Sequence, residues 1–120
     1  MSEKGILKEK SFAFAVRIVK LYKYLAETKK EYVLSKQLLR SGTAIGAMIR
    51  EAQNAESKMD FIHKLSLSQK ECDESIYWLE LLKETCFISE IEFQSIYQEV
   101  EAILKMIKSS ILTTKKNINK

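Results

Sequence analysis

The sequence feature that most constrains the fold is the stretch of residues 38–55, LLRSGTAIGAMIREAQNA. Apolar residues recur in it at steps of three and four, the spacing of one helical face, and small residues form a second stripe beside them. Gly42 and Gly46 both fall inside this pattern, and each glycine costs a helix interior about 1 kcal/mol relative to alanine. Close packing against a neighbouring helix offsets that cost. The stretch therefore predicts a helix crowded by at least one other helix.

Composition extends this prediction to the whole chain. The 120 residues suit one domain, proline is absent, only three glycines occur, and 46% of residues are hydrophobic against 30% charged. This balance favours helices joined by short turns. Arg17, Lys20 and Lys23 interrupt the N-terminal apolar stretch, so it predicts neither a signal peptide nor a membrane span. The expected class is an all-α protein of the cytoplasm.

Periodicity and capping residues divide the chain into four predicted helices. Ser35 is a plausible N-cap of the second helix, Ser57 of the third, and Ser89 with Glu92 forms a capping box for the fourth. Short connections make the antiparallel up-down-up-down four-helix bundle the simplest arrangement. The predicted helices cover roughly residues 11–28, 36–56, 58–86 and 90–113, and the basic tail 114–120 is expected to fray.

The apolar residues exceed what the core of such a bundle needs. On the first helix the predicted inward face contains Phe12, Ala15, Ile18, Val19, Tyr22 and Leu25. Phe14 and Leu21 flank that face, and Tyr77, Trp78 and Leu81 lie away from the main stripe of the third helix. Such a surplus on a small bundle indicates a subunit contact, so we expect a homo-oligomer.

Charge is distributed unevenly along the sequence. Residues 1–30 carry eight basic and three acidic groups, residues 88–104 carry four acids alone, and residues 105–120 carry five lysines alone. Opposite the apolar face of the first helix runs a basic stripe of Lys10, Arg17, Lys20 and Lys23. This stripe, with Lys115 and Lys116 of the tail, either contacts phosphates or is an ordinary solvated face.

The sequence contains no recognisable catalytic or metal-binding pattern. His63 is the single histidine and is expected at the surface. Zinc and di-iron sites in helical bundles need more histidine ligands than this, so we expect neither. Cys72 and Cys86 are fourteen residues apart on one predicted helix, about 21 Å along its axis, too far for a disulfide. Both are expected to behave as small buried hydrophobes, with an intermolecular or metal role as the alternative. We expect no enzyme activity and no cofactor.

Three polar residues stand apart on otherwise apolar surroundings. Arg40 and Glu51 are eleven residues apart, close to three whole turns. Glu74 lies one turn before Tyr77 and Trp78, where a carboxylate needs a partner, and Arg40 is the obvious one across the bundle.

Residues 37–52, QLLRSGTAIGAMIREA, with residues 57–61 and 70–82, resemble the bacterial four-helix-bundle proteins encoded in intervening sequences of large-subunit ribosomal RNA genes. The similarity covers roughly residues 11–112, and Met48 stands where many members have asparagine. The resemblance implies a ring-like homopentamer without catalytic activity, in which Arg40, Glu51 and Glu74 are recurring polar positions. These are read first as a structural network and second as ligand contacts.

The resemblance leaves two functions open. The first is a homo-oligomer that binds RNA or DNA through its summed basic surface, since five subunits of net charge +4 would carry +20. A related branch, the accessory variability determinant of diversity-generating retroelements, engages reverse transcriptase and nucleic acid. The alternative is therefore a protein-interaction scaffold, such as an accessory subunit of a reverse transcriptase. A salt titration of RNA binding separates the two.

Overall fold

The computed structural model describes residues 3–118, with side chains from residue 5 onward, as four α-helices. These are α1 (Glu3–Glu27), α2 (Val33–Gln53), α3 (Lys58–Glu84) and α4 (Glu90–Ile118). Consecutive helices pack side by side, so the chain runs up and down within a rod of 52 × 24 × 22 Å, and the described part has no strand. The structure confirms the predicted all-α, antiparallel up-down-up-down four-helix bundle.

Two of the predicted N-caps are confirmed. The Ser57 side chain accepts a hydrogen bond from the Asp60 backbone N–H at 3.0 Å. Ser89 and Glu92 form the reciprocal capping box, with bonds of 2.9 and 3.1 Å. The Ser89 backbone N–H that donates to the Glu92 carboxylate also lowers the pKa of that carboxyl group.

The predicted cap of α2 is wrong. α2 begins at Val33, two residues after Glu31, and Ser35 is already inside it. The buried Glu31 carboxylate accepts the backbone N–H groups of Val33, Leu34 and Ser35 at 2.7 to 3.1 Å. The left-handed backbone of Lys30 (φ 58°) precedes this carboxylate. A residue upstream of the helix thereby satisfies the free donors of its first turn.

The first helix is longer than predicted, and a different face of it is buried. It begins at Glu3 instead of residue 11, because Leu7 extends the buried stripe by one more turn. Phe14 is fully buried, whereas Phe12 is 56% exposed and lies at the surface with its ring centroid 5.3 Å from the guanidinium of Arg50. The inward face contains Leu7, Ser11, Phe14, Ile18 and Leu25.

The fourth helix also exceeds its predicted range. Residues 114–118, which were predicted to fray, continue α4 as helix in the structure; residues 119 and 120 lie outside the described part. Ile111, close to residue 113 where the helix was predicted to end, is buried against the core, and this contact favours continuation of the helix. Lys115 and Lys116 also sit in the last turn, where positive charge interacts favourably with the helix dipole.

The second helix is packed closely on both sides by small residues. A Cβ atom added at Gly42 would lie 2.9 Å from Cγ2 of Ile18 on α1, and one at Gly46 would lie 3.3 Å from Oγ of Ser11. Towards α3, Ser68 donates to the Ile45 carbonyl and Ser75 to the Ser41 hydroxyl, both at 2.9 Å. We call these two contact zones the α2 seams. They account for the small-residue stripes in the sequence.

The contact between α1 and α4 is much looser. Arg17 of α1 pairs with Glu99 of α4 and donates to the Ser95 hydroxyl at 2.9 Å. Beside this pair lies a surface cleft of about 190 Å³, whose lining includes Ala13 and Ala102. We call this zone the α1–α4 seam. Between residues 3 and 118, no helix is long and apolar enough to cross a membrane.

Candidate nucleic-acid interface and polar network

The predicted basic stripe of α1 is only partly available for binding. Lys10, Lys20 and Lys23 are exposed. Arg17 is half-buried, and its guanidinium is held by Glu99 and Ser95 of α4. An ion pair within the molecule therefore interrupts the stripe in its middle, and Lys10 is separated from Lys20 and Lys23.

The antiparallel arrangement places those groups at different ends of the rod. Lys10 lies in the early turns of α1, beside the late turns of α4 that carry Lys115 and Lys116. Lys20 and Lys23 lie near the end of α1, at the opposite end of the bundle. The structure thus brings the two ends of the sequence into one half of the molecule and separates the lysines of the predicted stripe.

The three residues of the predicted polar network are divided between two ion-pair sites. Arg40 of α2 pairs with Glu74 of α3 and also contacts Glu71 at 3.2 Å. Glu51 pairs instead with Lys64 at 3.1 Å. Arg40 and Glu51 point in similar directions, yet about 16 Å of helix separates them. The Arg40 side chain is 51% exposed, so in the single chain this is a surface pair.

Glu71 is a second partner of Arg40 that was not predicted from the sequence. Its position three residues before Glu74 puts both carboxylates on the same side of α3. That spacing was the available signal. What it could not supply is the register of α2 against α3, which decides that Arg40 reaches Glu71 and Lys64 reaches Glu51.

The surplus apolar side chains are real, but several differ from those predicted. Tyr77 is 56% exposed and its ring contacts that of Trp78 edge-on, with centroids 5.0 Å apart. The indole N–H of Trp78 is buried without a hydrogen-bond partner among the described residues. Phe14 is core, while Val33, Met59 and Ile91 are more than 60% exposed. The apolar surface is therefore spread over several faces.

The two cysteines have different environments. Cys72 is buried in α3, and burial, with Asp73 and Glu71 nearby, raises the pKa of its thiol to about 12. Cys86 is exposed in the turn after α3, so the prediction that it is buried was wrong.

His63 lies at the surface, as expected. Residues 3–118 contain no group of three or more His, Cys, Asp or Glu side chains placed to hold a metal ion.

Two larger clefts lie at opposite ends of the rod. One, of about 360 Å³, is lined by the α2–α3 turn and the end of α4, including Ser57, Lys58 and Asn117. The other, of about 570 Å³, lies beside the α3–α4 turn. There Lys83 spans Glu84 and Glu90 at 3.6 Å and lies 4.3 Å from the ring centroid of Phe93.

Comparisons with known proteins agree with this geometry. A family model described as "23S rRNA-intervening sequence protein" matches residues 3–109. A crystal structure from Bacteroides thetaiotaomicron, described as a protein with unknown function from the S23 ribosomal protein family, is 50% identical. It superimposes with a TM-score of 0.91, over 92% of this chain and 98% of that one. Among curated proteins, none matches this sequence.

Proposed function

Because the chain belongs to the 23S rRNA-intervening sequence protein family, we propose that it is a non-enzymatic, homo-oligomeric four-helix bundle that binds RNA or another nucleic acid. Binding occurs through the summed basic surface of several subunits. The family description concerns ribosomal RNA genes, and the crystallised relative is described as having unknown function. The argument for binding therefore rests on the surface chemistry of this chain.

Exposed, unpaired lysines are the observation that carries the proposal. Lys10, Lys20, Lys23, Lys115 and Lys116 are all exposed, and among the described residues none has a carboxylate within 4.0 Å. The chain has a net charge of +4 and an isoelectric point near 9.0. Such lysines release counterions when they contact phosphates, which gives affinity without base recognition.

Assembly into a ring supplies what one subunit lacks. A single chain offers a modest positive charge, but linked copies bind one polyanion together and gain affinity by multivalency. The exposed apolar side chains, including Tyr77 and Met59, favour self-association. We take the pentamer implied by the family resemblance as the assembly. Light scattering tests this directly: a mass near five subunits is expected at micromolar concentration, and a monomer mass contradicts it.

A salt titration tests RNA binding. The intact protein is titrated into a fluorescently labelled generic RNA at salt concentrations from about 50 to 200 mM. We expect log K to fall linearly with log salt, with a slope of about −0.7 to −0.9 per phosphate contacted. No binding at the lowest salt contradicts the proposal.

The second candidate is a protein-interaction scaffold, for example an accessory subunit of a reverse transcriptase. The α2–α3 face favours it, because it combines the exposed Tyr77 ring with carboxylates of Glu71 and Glu74, which repel phosphates. In this case the titration shows no steep salt slope.

A further inference from the structure

The two ends of the bundle differ in charge. The end where α1 begins and α4 ends contains residues 5–11, 48–64 and 105–118, with nine basic and four acidic groups. The opposite end contains residues 20–36 and 78–93, with six basic and six acidic groups. We call the first the basic end. The basic end therefore carries an excess of five positive charges, whereas the charges of the opposite end balance.

Two of the four carboxylates at the basic end are engaged in local contacts. Glu51 is paired with Lys64 at 3.1 Å, and the Asp60 carboxylate accepts the Glu56 backbone N–H at 3.3 Å. In contrast, Lys8, Lys10, Lys58, Lys108, Lys115 and Lys116 have no carboxylate within 4.0 Å among residues 5–118. Exposed lysines without carboxylate partners occur at the opposite end too, but there six acidic groups balance the six basic ones, and Lys83 is held between two glutamates.

Neutral hydrogen-bond donors lie beside one of these lysines, Lys58. The cleft of about 360 Å³ at the basic end is lined by Ser57, Lys58, Thr113 and Asn117, among others. Hydroxyl and amide groups beside lysines are common partners of phosphate oxygens. The stretch of α4 from Lys105 to Lys116 is about 17 Å long at 1.5 Å per residue, long enough to contact several successive phosphates of one nucleic-acid strand.

We propose that the phosphate backbone of RNA docks on the basic end, with Lys108, Lys115 and Lys116 of α4 and Lys8 and Lys10 of α1 as its main contacts. This inference rests on the proposed function and assigns RNA binding to one end of the bundle. Charge complementarity carries the argument: an RNA strand lying along the α1 stripe would meet the Arg17–Glu99 pair. At the basic end it meets six lysines without carboxylate partners.

Two matched triple variants of the full-length chain test the placement. One removes three charges at the basic end (Lys108→Gln, Lys115→Gln, Lys116→Gln), and the other removes three exposed charges at the opposite end that lie outside the predicted stripe (Lys29→Gln, Lys30→Gln, Lys36→Gln). At about 100 mM salt we expect the basic-end variant to bind generic RNA at least tenfold more weakly. Its salt slope should be smaller by about 2 to 3. The opposite-end variant should bind within twofold of the wild type.

The outcomes separate this inference from the function on which it rests. If the wild type binds RNA with a steep salt slope but both triple variants lose affinity equally, the placement is wrong and RNA binding stands. A wild type that fails to bind overturns both. Thermal melting and light scattering check folding and assembly of each variant. Should the α4 variant misfold, the pair Lys8→Gln and Lys10→Gln tests the same end from α1, with a reduced slope again required.

Discussion

The α2 seams and the α1–α4 seam hold the same bundle together in different ways. Across the α2 seams, backbones approach closely over glycine and serine, and hydroxyl groups bond from one helix to the next. Across the α1–α4 seam, a half-exposed ion pair and a cleft separate the helices. The first kind of contact tolerates no added volume, whereas the second has room for it. Added volume should therefore destabilise the bundle more at the α2 seams than at the α1–α4 seam.

The largest expected effect comes from adding volume at the tight seam. Gly42→Leu should lower the free energy of unfolding by about 3 kcal/mol through overpacking against Ile18, and Gly46→Leu by about 1 to 3 kcal/mol, because the Ser11 hydroxyl can rotate away. Ala102→Leu at the α1–α4 cleft is the matched control, and its melting temperature should match or exceed that of the wild type. Equal losses of unfolding free energy in the glycine variants and in Ala102→Leu would show that the two kinds of seam do not differ in their tolerance of added volume.

Removal of the upstream cap should have the next largest effect. Glu31→Ala deprives three backbone N–H groups of their acceptor, one of them buried at Ser35, and should cost about 2 kcal/mol. Glu31→Gln keeps an acceptor oxygen and should cost less. Denaturant unfolding measures both. If Glu31→Ala unfolds at the same denaturant concentration as the wild type, the carboxylate does not stabilise α2.

The ion pairs at the α2–α3 surface should contribute little in a single chain. Since Arg40 is 51% exposed, Arg40→Ala should cost at most about 1 kcal/mol. A double-mutant cycle should show coupling of Arg40 to Glu74, whereas Arg40 and Glu51 should be additive within about 0.5 kcal/mol. A cost of about 3 kcal/mol or more would instead indicate that assembly buries this pair.

The smallest effect is expected at the end of α3. Cys86 adopts φ 66° there, and the Phe87 N–H bonds to the Leu82 carbonyl at 2.9 Å, as in a Schellman motif. Cys86→Gly relieves the left-handed strain and should raise the free energy of unfolding by up to about 1 kcal/mol. A lowered melting temperature would show that the cysteine side chain contributes more than its strained backbone costs. Alkylation of the native wild type should label Cys86 and spare Cys72.

What the sequence could predict follows from the range of the interactions involved. The caps at Ser57 and Ser89 depend on residues within one turn, and the crowding of α2 is indicated by the small residues of the helix itself, so these features were predicted correctly. On α1, apolar residues surround most of the helix, so periodicity alone could not choose between Phe12 and Phe14. The cap by Glu31 follows Lys30, which has a left-handed backbone conformation that the local sequence does not indicate.

The candidate site was less predictable because it depends on the relation between helices. Lysines at both ends of the chain were visible in the sequence, and their meeting follows from an even number of antiparallel helices. The pairing of Arg17 with Glu99 spans 82 residues, and it removes a cation from the predicted stripe. Only the register of α1 against α4 reveals this loss. The retroelement link and the pentamer stay predictions.

Native-state hydrogen exchange tests most directly whether the α2 seams, and not burial alone, hold the bundle together. The side chains of Ile45 on α2 and Ile103 on α4 are both at most 1% exposed, so burial predicts equal protection of their amides. Our account predicts that the Ile45 amide exchanges only on global unfolding, whereas the Ile103 amide exchanges at least tenfold faster through opening at the α1–α4 seam. Equal rates, or slower exchange at Ile103, would contradict it.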